Sequence, residues 1–200
     1  MGQEAHVYER STVRAMRLEY LLHLPREYGS DGQRRWPLIL FLHGAGERGH
    51  DIEKVKVNGI PKVAEAAARA GEDFPFIAVS PQCPPYSAWV EQEDAVLGLL
   101  DEIVSRYAVD TRRVYLTGLS MGGFGTYYIA LDHPERFAAI APICGGLTWW
   151  TGFAERAAAL KDMPVWVFHG AKDETVPLAE SQRAVDALRA AGNDDVRFTV

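Results

Sequence analysis

The sequence predicts an α/β protein built on one mostly parallel sheet with helices on both faces. Three observations carry this expectation. Short apolar runs alternate with stretches of helical period along the 200 residues. The runs "PLILFLHG" (37–44), "FIAVSP" (76–81) and "PVWVFHG" (164–170) have the unbroken hydrophobicity of strands buried on both faces. Loops rich in glycine and charge follow these strands, and in parallel sheets ligands bind beyond the carboxyl ends of the strands.

Each element has its own local reason. "MRLEYLLHL" (16–24) alternates and reads as an early strand, and 37–44 is the next. "IPKVAEAAARA" (60–70) is helical in composition, with Pro61 suited to a first turn. After the strand 76–81, "EDAVLGLLDEIVSRYA" (93–108) sets Val96, Leu99, Leu100, Ile103 and Tyr107 on one helical face. "RVYLTGLS" (113–120) is a strand running into a serine, and "MGGFGTYYIALDH" (121–133) is the helix after it. "FAAIAPIC" (137–144) and 164–170 are two further strands. The amphipathic helix 177–192 ends at Gly192, and "VRFTV" (196–200) is a last strand. "GGLTWWTGF" (145–153) is irregular and suits a pocket wall or small lid. No repeat or low-complexity linker interrupts this single-domain pattern over 1–200.

Composition narrows the functional class. The chain is 48% hydrophobic and 24% charged, as in ordinary globular domains. A net charge of -6 and a pI near 5.5 argue against nucleic acid or an anionic membrane as the main partner. No apolar run approaches the roughly 18 residues of a membrane span. The polar N-terminus lacks a signal-peptide core, so a cytoplasmic location is expected. Cys83 and Cys144 form no CxxC pair or zinc pattern, so no cysteine-based metal site is expected, and both are expected to be reduced.

The chemistry centres on "GLSMGG". Gly118, Ser120 and Gly122 make the pattern G-x-S-x-G between an apolar strand and a helix. A serine exposed on such a turn needs small neighbours, and Gly118, Gly122 and Gly123 provide them. The helix after it aims free N–H groups at a developing oxyanion. Ser120 is therefore the candidate nucleophile. "FLHGAGERG" (41–49) supplies a close-approaching backbone, with the N–H groups of Ala45 and Met121 as oxyanion donors and Gly46 as a substitute for the first. His43 reads as a brace of this loop, while Glu47 and Arg48 pair with each other, shape the entrance or are simply solvated. "FHGAKDETVP" (168–177) puts Asp173 after a strand, in the chain order Ser…Asp, as the acid that orients an imidazole. Glu174 is adjacent, and Asp162 lies at the wrong end of its strand.

The strings "FLHGAGERG", "SPQCP", "LTGLSMGGFGT", "HPERFAAIAPICGG" and "PVWVFHGAKDETVP" together resemble the α/β-hydrolase superfamily. More narrowly they resemble its esterase/peptidase branch, related to phospholipase/carboxylesterases and polyhydroxybutyrate depolymerase-like esterases. The resemblance spans residue 38 to about 200. It implies a serine hydrolase acting on small-molecule carboxylic esters through an acyl-enzyme, without a cofactor. A peptidase, a polyester depolymerase or a non-catalytic binding protein on the same fold are the alternatives.

The family's base is a histidine after the acid, and this chain has none beyond Asp173. His133 lies roughly 20 Å along the helix from Ser120, at about 1.5 Å per residue. His6 and His23 belong to the early region. His50 and His169 are the two that remain as substitutes. The simpler expectation is a chain cut before its terminal histidine loop and final helix, which would leave apolar sheet surface exposed. Trp89, Trp149 and Trp150 are the candidate pocket residues. Phe124, Tyr127 and Tyr128 are expected in the core.

Overall fold

The computed structural model describes residues 15–147 and 152–200; His6, Trp149 and Trp150 lie outside them. Seven strands form one sheet: β1 (Glu19–His23), β2 (Trp36–Leu42), β3 (Ile77–Gln82), β4 (Val109–Leu119), β5 (Ala139–Ile143), β6 (Val165–Phe168) and β7 (Val196–Thr199). Their spatial order is β1-β3-β2-β4-β5-β6-β7. Only β1 runs antiparallel, against β3. The other neighbours are parallel, as runs separated by helices require.

Helices α2 (Glu93–Arg106), α3 (Met121–Asp132) and α5 (Leu178–Ala190) cover the face that carries Leu38, Leu40, Val114, Leu116, Val165 and Val167. Val96, Leu100 and Ile103 of α2, Tyr127 and Ile129 of α3, and Ala184 and Leu188 of α5 join these strand residues in one core. Alternation puts Ile39, Tyr115, Thr117, Ala141 and Trp166 on the other face. There α1 (Gly59–Ala70) packs toward β1 and β3, and Gly59 lies against the Phe41 ring. Beyond α1 this face is an open groove of about 710 Å³ lined by Ile39, Phe76, Tyr115, Ala141 and Trp166, and Trp166 is 45% exposed.

The elements fall where the sequence pattern puts them, with differences of physical interest. The apolar strands are not all covered on both faces, as Trp166 shows. β4 starts at Val109, four residues early, because Trp36 N–H donates to Ala108 O and Trp36 pairs with Val109. That added length is polar, and Asp110 in it accepts from the Arg112 N–H and the Arg113 guanidinium. The stretch after the irregular loop is helical: α4 (Phe153–Arg156) continues into a 3₁₀ turn at Ala157–Leu160. Phe153 meets Tyr127 edge-on at 5.6 Å, so the short helix is pinned to the core. Tyr127 is fully buried, whereas Phe124 and Tyr128 are only half-buried. No helix among the described residues is long and apolar enough to cross a membrane.

Leu116 lies in a central strand and is fully buried. Leu116→Ala should cost about 2–5 kcal/mol of stability, read as a lower urea midpoint with an unchanged slope.

Candidate active site

Ser120 sits between β4 and α3 with φ 54° and ψ -116°. A non-glycine residue at positive φ is strained and persists only where its surroundings fix it. The fixing is visible. Ser120 N–H donates to Ile143 O of the next strand at 2.9 Å, and Ser120 O accepts from Phe124 N–H at 3.0 Å. A Cβ on Gly122 would fall 1.8 Å from Leu42 O, and one on Gly118 would fall 2.3 Å from Gly122 O. Only glycine lets α3 start this close to β2.

The loop after β2 lies against the serine. A Cβ on Gly44 would stand 3.7 Å from Ser120 Cβ. Ala45 opens a 3₁₀ turn (Ala45–Glu47) and Met121 opens α3. First-turn N–H groups have no partner inside their own helix, so both residues carry donors of the kind an oxyanion needs.

Four side chains hold this loop. His43 is fully buried. Its Nε2 accepts from Cys83 N–H at 2.9 Å, so its Nδ1–H is the donor to Gly44 O at 2.6 Å. Trp89 Nε1 donates to His43 O at 2.8 Å, and the two rings meet edge-on at 5.0 Å. Gln82 Nε2 donates to Glu47 O and Asp51 O. Arg48 reaches Ala45 O and Ser87 O, so it does not pair with Glu47. Glu47 instead accepts from Asn58 Nδ2 at 2.6 Å.

Asp173 lies in the loop after β6. Its Oδ1 accepts from the N–H groups of Thr175 and Val176, both at 2.9 Å. The Val176 N–H, with help from Thr175 and His169 and against partial burial, holds its carboxyl below the usual carboxylate range. Glu174 is exposed, and Asp162 lies exposed before β6. Cys144 follows β5, and burial pushes its thiol pKa up, with the Ser120 backbone opposing and the Asp173 carboxylate adding to the shift. Cys83 is raised by burial to about 11. Both cysteines are free.

The histidines divide clearly. His169 is buried, with Nε2 donating to Val176 O at 2.8 Å and Nδ1 2.7 Å from Ser181 Oγ. Both ring nitrogens are engaged, so His169 is no substitute base; it secures the Asp173 loop. His133 closes α3 with Nε2 3.3 Å from Glu93. His23 is on β1, near Phe74 O. His50 is exposed on the loop after β2. No described histidine hydrogen-bonds Ser120. Trp89 also corrects an expectation: it is fully buried behind the loop and has no surface for a substrate, because its indole N–H braces His43.

His43 has a measurable consequence. Burial lowers its pKa below 6.5, outweighing Gly44 O and Glu47. The unfolded ring gains a proton near its ordinary value, while the folded ring resists it to lower pH. Stability from this site is therefore complete above about 6.5 and is lost as pH falls toward the folded value. The non-titrating variant His43→Gln should lose about 1–3 kcal/mol at neutral pH yet show a shallower fall in urea midpoint under mild acid than the native chain.

The phospholipase/carboxylesterase family matches residues 74–200. A bifunctional acetylxylan esterase/xylanase of Neocallimastix patriciarum is 33% identical over 88 residues, covering 44% of this chain and 12% of that protein. Poly(3-hydroxyalkanoate) depolymerase C of Paucimonas lemoignei is 30% identical over 125 residues, covering 55% of this chain and 28% of that protein. The chain thus spans less than a third of either relative. A solved thermostable esterase superposes with a TM-score of 0.73 at 34% identity, over 91% of this chain and 50% of that one. The mostly parallel sheet, the strained serine turn and a family match over most of the chain agree, and the protein belongs to the phospholipase/carboxylesterase family on an α/β-hydrolase fold.

Proposed function

We propose that this chain carries the nucleophile, the oxyanion donors and the acid of a serine esterase. The observation that carries the reading is the strained Ser120, set on a β4–α3 turn beside Gly44. In this reading Ser120 Oγ attacks the ester carbonyl. The N–H groups of Ala45 and Met121 receive the oxyanion, the alcohol leaves, and water releases the acid from the acyl-enzyme. Asp173 orients the imidazole that takes the serine proton. Its Oδ1 is fixed by two backbone N–H groups, which leaves Oδ2 to accept from a ring N–H. The base is a histidine outside the described residues. These steps need no cofactor, and the partner is a small-molecule ester. One similar protein is named as an acetylxylan esterase/xylanase and one similar structure as a thermostable esterase, which favours esters over peptides.

Free imidazole can stand in for the base. Added imidazole should raise Ser120-dependent hydrolysis of p-nitrophenyl acetate by about tenfold or more over the chain alone. A fluorophosphonate probe should label Ser120 and leave Ser120→Ala unlabelled. Hydrolysis by Ser120→Ala equal to that of the native chain would sink the reading. A chain that never labels would favour a non-catalytic binding protein.

A further inference from the structure

Glu47 is a charged group at this site with no part in the steps above. It is 8% exposed, yet it carries a carboxylate inside the loop that meets the nucleophile. Its Oε1 is satisfied by Asn58 at 2.6 Å. Its Oε2 accepts no hydrogen bond from the described residues. His43 Nδ1 is 3.9 Å from it and already donates to Gly44 O. That same Oε2 lies 3.1 Å from the point where a Gly44 Cβ would stand, and Ser120 Cβ lies 3.7 Å from that point. The open oxygen and the nucleophile therefore share the space next to Gly44.

Oε2 still reaches solvent beside the nucleophile, and a charged acceptor already held in place by Asn58 binds a ligand's donor more strongly than a neutral one would. An ester group has no N–H or O–H of its own. The donor must come from another part of the substrate, close to the scissile bond. We propose that Glu47 is a specificity-determining residue that selects esters bearing a hydrogen-bond donor, a hydroxyl or an ammonium, beside the reacting carbonyl. The inference rests on the esterase reading and adds a substrate class to it. Substrates with a carboxylate at that position are disfavoured by the same charge.

The test compares Ser120-dependent kcat/KM, with imidazole present, across esters that differ only by the donor. On the acyl side these are p-nitrophenyl acetate, glycolate and glycinate. On the alcohol side they are ethyl acetate and 2-hydroxyethyl acetate. Rates with imidazole alone give the intrinsic reactivity of each ester. Beyond that reactivity, the native chain should prefer at least one donor-bearing ester by about tenfold or more. Glu47→Gln keeps an acceptor for Asn58 but turns a donor toward the substrate, and it should bring that preference close to one. Glu47→Asp, which withdraws the oxygen by one methylene, should also reduce it. The ester that loses its advantage identifies the donor as hydroxyl or ammonium and its side as acyl or alcohol. A native chain with no preference, or variants that slow every ester by one factor, overturns the role of Glu47 and leaves the esterase reading intact. Absence of any Ser120-dependent hydrolysis overturns both.

Discussion

The site depends on three places where no side chain fits. Gly122 lies against the Leu42 carbonyl, Gly118 against Gly122, and Gly123 against Gly145, where a Cβ would meet Ile143 O at 2.5 Å. These contacts bring the start of α3 between the ends of β2 and β5. Ser120 is then the hinge between a strand and a helix that nearly touch, and it can make that turn only with a positive φ. The same approach aims the first N–H groups of α3 into the space above the sheet. The Ser120 turn and the start of its helix are thus set by one steric constraint, before any polar contact is considered.

The polar contacts then hold the two flanking loops, and both use a buried histidine as a connector. His43 joins the ends of β2 and β3 by taking the Cys83 N–H and giving to Gly44 O. Its neutrality matters, since a second proton would displace the Cys83 bond. His169 joins β6 to α5 through Ser181, whose Oγ also reaches Gly145 O at 3.0 Å. Gly145 in turn packs on Gly123 at the foot of the serine helix. The Asp173 loop, the loop after β5 and the Ser120 turn are thereby tied together. Displacing any of them loads the glycine contacts, which have no slack.

Much of this was legible along the chain because the physics is local. A buried parallel strand needs an unbroken apolar run, and a strand–helix turn around a serine needs glycines at fixed offsets. The strand–serine–helix turn and the bracing role of His43 could be read that way. What could not be read depends on distant partners. Trp89 sits in a polar loop, and nothing nearby says that its indole N–H meets His43 O 46 residues away. The early start of β4 rests on pairing with Trp36, not on its own polar residues. Glu47 reads as a partner of Arg48, a shaper of the entrance or a solvated charge until Asn58 and Gly44 are seen beside it. His169 lies four residues from Asp173 and invites a role in catalysis; only the Val176 carbonyl and Ser181 reveal that its nitrogens are already engaged.

The loop that holds Asp173 is also fixed from the edge of the sheet. Asp173 Oδ1 accepts two backbone N–H groups, and its Oδ2 lies 3.7 Å from the buried His169 Nε2. β7 pairs with β6 so that Thr199 lies beside Phe168, and Thr199 O accepts from His169 N–H. The end of β7 thus stands next to the loop that holds Asp173. The backbone of β7 therefore steadies the same loop that the His169 ring holds from within, so the position of Asp173 depends on the last strand as well as on its own turn.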